Sequence, residues 1–180
     1  MTAEKSTLAL AQLTRYHVSI MRKKLGRSTN LVRSENPPPV TGQVIFDRSF
    51  PSLKETKNAV LDGLLLLFSK NGIIGSEQEE ARIRLCLDEA LVNAMMHGNC
   101  YDPQKNVRIR AFLTESCWCA LIEDEGTGFR EEDLPDPNAS ENLLEESGRG
   151  VSIIQNMMDE ISYWRGGSAL FMLKRILKRN

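Results

Sequence analysis

A strong charge of either sign is missing from this chain. Its formal net charge is −1, so no global field recruits nucleic acid or an anionic membrane. A secretory signal region is also missing, because residues 1–25 carry no compact apolar run behind a basic start. The leucine-rich run from Leu64 to Phe68 is far too short to cross a bilayer. Cysteine is sparse: Cys86, Cys100, Cys117 and Cys119 are distributed as core residues rather than as a disulfide framework. Cys117 and Cys119 would share one face of a strand, yet no further Cys/His pair lies nearby to complete a metal site. These absences predict a cytoplasmic protein whose partners are neither nucleic acid nor membrane.

What is present suits a soluble globular domain. Hydrophobic residues make up 41% of the 180 residues and charged residues 26%. Residues 1 to about 25 have Leu10, Leu13, His17, Ile20 and Met21 at helical spacing. From Gly26 to Gly42 the composition turns to Ser, Asn and Pro, including Pro37 to Pro39, which favours an extended linker. The expected organisation is therefore a helical extension with its linker over residues 1–42 and one domain over residues 43–180.

Within that domain the patterns alternate. Gln43 to Phe50 reads as a strand, and about Leu53 to Asn71 reads as a helix whose Leu64 to Phe68 face is buried. A central helix begins at Ser76 and ends near Gly98. Val107 to Leu113 and Cys117 to Glu123 form an antiparallel hairpin that delivers Asp124 to a strand end. Residues 130–147 hold seven acids, one arginine and two prolines without apolar rhythm, and read as a mobile lid whose acids face solvent or a basic partner. Gly150 to Met158 is a short helix, and Glu160 to Trp164 and Ala169 to Ile176 are the last strands. Fold class follows as α+β: a two-layer sandwich of a mixed, mainly antiparallel sheet with helices on one face.

The central helix carries the chemistry. Ile83, Cys86, Leu87, Ala90, Leu91, Ala94 and Met95 make its buried stripe. Glu89, Asn93 and His97, four apart, form a polar column on one flank. An amide oxygen is a hard ligand suited to magnesium, and a carboxylate one turn away can accept a proton. A solvated polar edge would look the same in isolation. Two glycine-rich segments tip the balance: Asp124-Glu-Gly126-Thr-Gly128 after a strand, and Ser147-Gly148-Arg149-Gly150 opening a helix. Glycine lets backbone approach phosphates, and a helix N-terminus favours their charge.

In this order the three segments resemble the N, G1 and G2 boxes of the Bergerat ATP-binding fold, the GHKL superfamily of gyrase, histidine kinases and MutL. Glu89-Ala-Leu-Val-Asn93-Ala-Met-Met-His97-Gly98-Asn99 and the short lid look most like the anti-sigma-factor serine/threonine kinases. The resemblance covers about Gln43 to the C-terminus and implies ATP and Mg2+ as cofactors. It would make Asn93 the magnesium ligand and Glu89 the general base, or the group that orients the attacking hydroxyl. Asp124 would accept the adenine amino group, with Gly126 and Gly128 leaving room for the base. Gly148, Arg149 and Gly150 would meet the phosphates, Ser168 would lie near adenine, and His97 would be structural.

The activity implied is phosphorylation of a small antagonist protein by a kinase that also binds a sigma factor or comparable regulator. Members of the family often pair, so a homodimer joins the expected partners. The alternative is an ATP-binding module that sequesters a regulator without turnover. The catalytic half of a two-component histidine kinase is disfavoured, because the surroundings of His17 lack the acceptor pattern.

Overall fold

The computed structural model describes residues 31–33, 40, 42–128 and 146–176. The expected helix over residues 1–25 and most of the expected lid lie outside the described residues.

The strands form one six-stranded sheet. Its strands are β1 (Leu31–Arg33), β2 (Gln43–Pro51), β3 (Asn106–Leu113), β4 (Cys117–Glu123), β5 (Glu160–Trp164) and β6 (Ala169–Arg175), arranged in the order β1-β5-β6-β4-β3-β2. Every pairing is antiparallel except that of β1 with β5. The expected mixed, mainly antiparallel sheet is therefore present. It extends upstream of Gln43, since β1 falls inside the segment read as linker and edges the sheet beside Ile161 to Tyr163.

Three helices, α1 (Lys54–Lys70), α2 (Glu77–Val92) and α3 (Glu146–Met157), share a core with the inward face of the sheet. Val107, Ile109 and Ala111 of β3 point to this core, as do Trp118, Ala120 and Ile122 of β4. From α1 come Val60, Leu61, Leu64, Leu65 and Phe68, while Leu66 between them is 58% exposed. Phe68 meets Trp118 edge-on, with ring centroids 4.9 Å apart at 60°. From α2 come Ile83, Cys86, Leu87, Ala90 and Leu91, the predicted stripe. Each buried leucine or isoleucine contributes about 1.5–3 kcal/mol of transfer free energy, so this stripe fixes the rotation of α2. Its polar flank is thereby held beside the core. Lys57 with Asp88, and Arg84 with Asp62 at 2.9 Å, tie α1 to α2 at their outer edges.

The opposite face of the sheet carries a smaller apolar cluster of Cys119, Leu121, Trp164, Ala169 and Phe171. Burial pushes the Cys119 thiol up to about 12, which suits the expected packing role. Among the described residues no group of three metal-ligating side chains occurs, and no helix is long and apolar enough to cross a membrane.

Candidate functional site

The site is built along α2 and its continuation. Ser76 starts the helix, its side chain accepting from the Glu79 amide at 3.2 Å, while Glu79 returns a carboxylate oxygen to the Gly75 amide at 2.9 Å. The far end departs from the expected regular helix. Asn93 to Gly98 form a π turn, seen in the bond from the Asn99 amide to the Ala94 carbonyl at 2.9 Å. Cys100 and Tyr101 then adopt φ values of 56° and 53°. Left-handed backbone at such residues costs about 1–3 kcal/mol each. The Met95 carbonyl, freed by the wide turn, accepts from the Tyr101 amide at 2.8 Å and the Ser52 hydroxyl at 3.2 Å. His97 lies inside the π turn, whereas Glu89 lies in the regular helix before it. Glu89 and Asn93 are half-buried, and His97 is exposed.

The π turn brings Gly98 onto Asp124, the residue that follows β4. A Cβ on Gly98 would stand 2.5 Å from the Asp124 carboxyl, and one on Gly126 would stand 2.1 Å from the Gly98 carbonyl oxygen. Only glycine fits at either place. Asp124 is 7% exposed, and its Oδ1 accepts the Gly126 amide at 2.8 Å. Burial dominates its ionisation and pushes the carboxyl up to about 6, against the Gly126 amide and the charges of Arg165 and Lys105. Gly128, at φ 75°, lies where a Cβ would come 2.0 Å from the Gly166 carbonyl oxygen. Ser168 is adjacent: its carbonyl accepts the Asp124 amide at 2.9 Å, and its hydroxyl donates to the Arg165 carbonyl at 3.0 Å.

The other cluster forms where α3 crosses α2. A Cβ on Gly150 would stand 2.6 Å from Glu89 Oε2 and 3.5 Å from Asn93 Oδ1. Asn93 Nδ2 is buried without a hydrogen-bond partner among the described residues. Helix α3 begins at Glu146, earlier than the expected Gly150, so Gly148 and Arg149 fall in its first turn rather than in a preceding loop. The first-turn amides of a helix have no partner within it and are ready donors for an anion.

The fold thus brings Glu89, Asn93 and Gly150 together at one place, and Gly98, Asp124 and Gly126 at another, joined by one helix and its π turn. Asn99 is the polar residue whose importance the sequence pattern does not display. It is 0% exposed, its Oδ1 accepts the Glu125 amide at 2.9 Å, and its Nδ2 donates to the Asn106 carbonyl at 3.0 Å. Nothing in local spacing separates such an amide from an ordinary helix-ending asparagine.

The family described as the histidine kinase-like ATPase domain matches residues 55–174. The chain is similar to the anti-sigma F factor of Oceanobacillus iheyensis, 32% identical over 105 residues that cover 56% of this chain and 72% of that protein. It is similar to the anti-sigma F factor of Geobacillus kaustophilus at 31% identity over 105 residues, with the same 56% and 72% coverage.

Proposed function

The chain belongs to the histidine kinase-like ATPase domain family, and from that premise we propose that it is an ATP-dependent serine/threonine protein kinase of the anti-sigma type. It binds a sigma factor or comparable regulator and phosphorylates a small antagonist protein, working in the cytoplasm. The similarity to anti-sigma F factors supports the choice of partners.

The observation that carries the reading is the convergence of Glu89 and Asn93 on the bare α-carbon of Gly150. A carboxylate and an amide thus meet the backbone of α3 one turn inside its start, where transfer of a phosphoryl group needs mainly positioning and charge neutralisation. Asp124 holds the adenine amino group, and the glycines at 98 and 126 keep the backbone close enough for that base to be read. The first-turn amides of α3, up to Gly148, receive the phosphates with Arg149 adding positive charge, while Gly150, already inside the helix, serves by leaving room beside Glu89 and Asn93. Glu89 orients the substrate serine hydroxyl and takes its proton as the serine oxygen bonds to the γ-phosphorus. The bond from that phosphorus to the bridging oxygen breaks, and ADP leaves with the electron pair.

Magnesium fits the donor set. Asn93 Oδ1 is a hard oxygen beside Gly150, and magnesium takes its remaining ligands from phosphates and water rather than from an all-protein cage. It would neutralise phosphate charge there. The test is calorimetry of Mg·ATP binding to the wild-type chain and Asn93→Ala, followed by assay of phosphate transfer to serine of antagonist proteins. Asn93-dependent binding with transfer is the expected result. Binding without transfer to any antagonist would instead leave a sequestering module.

A further inference from the structure

The buried amide of Asn99 belongs to neither end of the site, yet it controls the backbone of one of them. Asp124 can select a base only if its carboxylate is aimed, and that aim depends on the peptide planes on its two sides. The plane before it is held by the bond from the Asp124 amide to the Ser168 carbonyl at 2.9 Å. The plane after it is held by the bond from the Glu125 amide to Asn99 Oδ1 at 2.9 Å.

The amide of Asn99 has a fixed sense. Its Nδ2 donates to the Asn106 carbonyl at 3.0 Å, so Oδ1 is the group turned to Glu125. Glu125 closes the ring by accepting the Asn106 amide on its carboxylate at 2.8 Å. Asn99 is 0% exposed, so both of its bonds are made away from solvent. Its neighbour Gly98 already touches the Asp124 carboxyl, leaving little room for that side chain to settle elsewhere. We propose that Asn99 is a positioning residue for nucleotide-base selection, acting through the Glu125 amide on Asp124. This rests on the reading of Asp124 as the adenine acceptor given above.

The test compares the ratio of GTP to ATP dissociation constants, measured by calorimetry on the full chain with magnesium, across four variants. Asn99→Ala should lower that ratio by about tenfold or more, because a site that reads a base by hydrogen bonds discriminates only while its polar groups are aligned. Ser52→Ala is the control for mere loosening. Ser52 is also 0% exposed and also holds the end of the same helix, through the Met95 carbonyl, but it does not touch the Asp124 turn. Its melting temperature should fall while the ratio stays at the wild-type value. Asn99→Gln keeps the amide but shifts it by a methylene, so it should also lose discrimination, and it serves if Asn99→Ala does not fold.

A folded Asn99→Ala or Asn99→Gln with the wild-type ratio would overturn the proposal, as would an equal drop in Ser52→Ala. Asp124→Asn, run alongside, separates the two levels of inference. Loss of ATP binding in Asp124→Asn with full discrimination in the Asn99 variants would reject the role of Asn99 alone. A wild-type chain that binds neither nucleotide, or an Asp124→Asn variant that binds ATP as the wild type does, would reject the adenine-acceptor reading itself.

Discussion

Gly150 and Glu89 touch across the helix crossing so closely that a single methyl group on Gly150 would stand 2.6 Å from the Glu89 carboxylate. The carboxylate is therefore placed by a helix from another part of the chain. Gly150→Ala should push Glu89 aside, and a misplacement of about 1 Å in a catalytic group costs roughly 10²-fold in rate. The expected outcome is a folded protein with phosphate transfer reduced to that extent, checked by radiolabel transfer alongside circular dichroism.

Glu89→Gln keeps the shape of the side chain and removes its basicity. Transfer should fall by about 10²–10⁴-fold, the usual contribution of a general base, while ATP affinity is kept. Turnover at the wild-type rate would reject Glu89 as the base.

Asp124 gives a pH signature. Its carboxyl is pushed up to about 6 by burial, so the folded chain holds the proton more tightly than the unfolded chain does. This group penalises folding above about pH 6, and the penalty is relieved as pH falls from there toward the unfolded value of 3.8. Carbon-13 NMR of the carboxyl in the nucleotide-free protein should give a midpoint near 6. ATP should move that midpoint down, since the ionised form is the better acceptor for an amino group. A midpoint near the ordinary value of about 3.9 would show that the carboxyl is hydrated.

Gly128→Ala faces two obstacles, a φ of 75° and a Gly166 carbonyl oxygen 2.0 Å from the new methyl. A loss of more than about 1 kcal/mol is expected in urea unfolding, because a side chain is strained in that backbone region and the opposing atom is backbone.

Phe68→Ala removes a fully buried ring from its contact with Trp118. The expected loss is about 3–5 kcal/mol by chemical denaturation, with ATP affinity preserved in the fraction that stays folded.

Much of this was legible in the amino acids. The α2 stripe from Ile83 to Leu91 and the alternation of Val107, Ile109 and Ala111 are direct consequences of helical and strand periods, and they set the two layers. Short-range glycine patterns also located the turn after β4. Features that depend on contacts distant in sequence were not legible. The π turn at Asn93 to Gly98 is stabilised in part by Ser52, more than forty positions earlier, and no local pattern signals that partner. Asn99 is informative only because Glu125 and Asn106 come to meet it. Strand β1 shows no alternation in three residues, and only the exposed flank of β5 gives it a place.

That short strand has a consequence for any shortened version of the protein. A chain begun at Gln43 would keep the whole family-matched span yet strip β1 from the border of the sheet. The bared backbone of β5, Glu-Ile-Ser-Tyr-Trp, would then offer unpaired amides and carbonyls along a largely apolar ribbon. Such a border recruits other strands, so self-association of a truncated chain would report the missing border and not a native pairing surface.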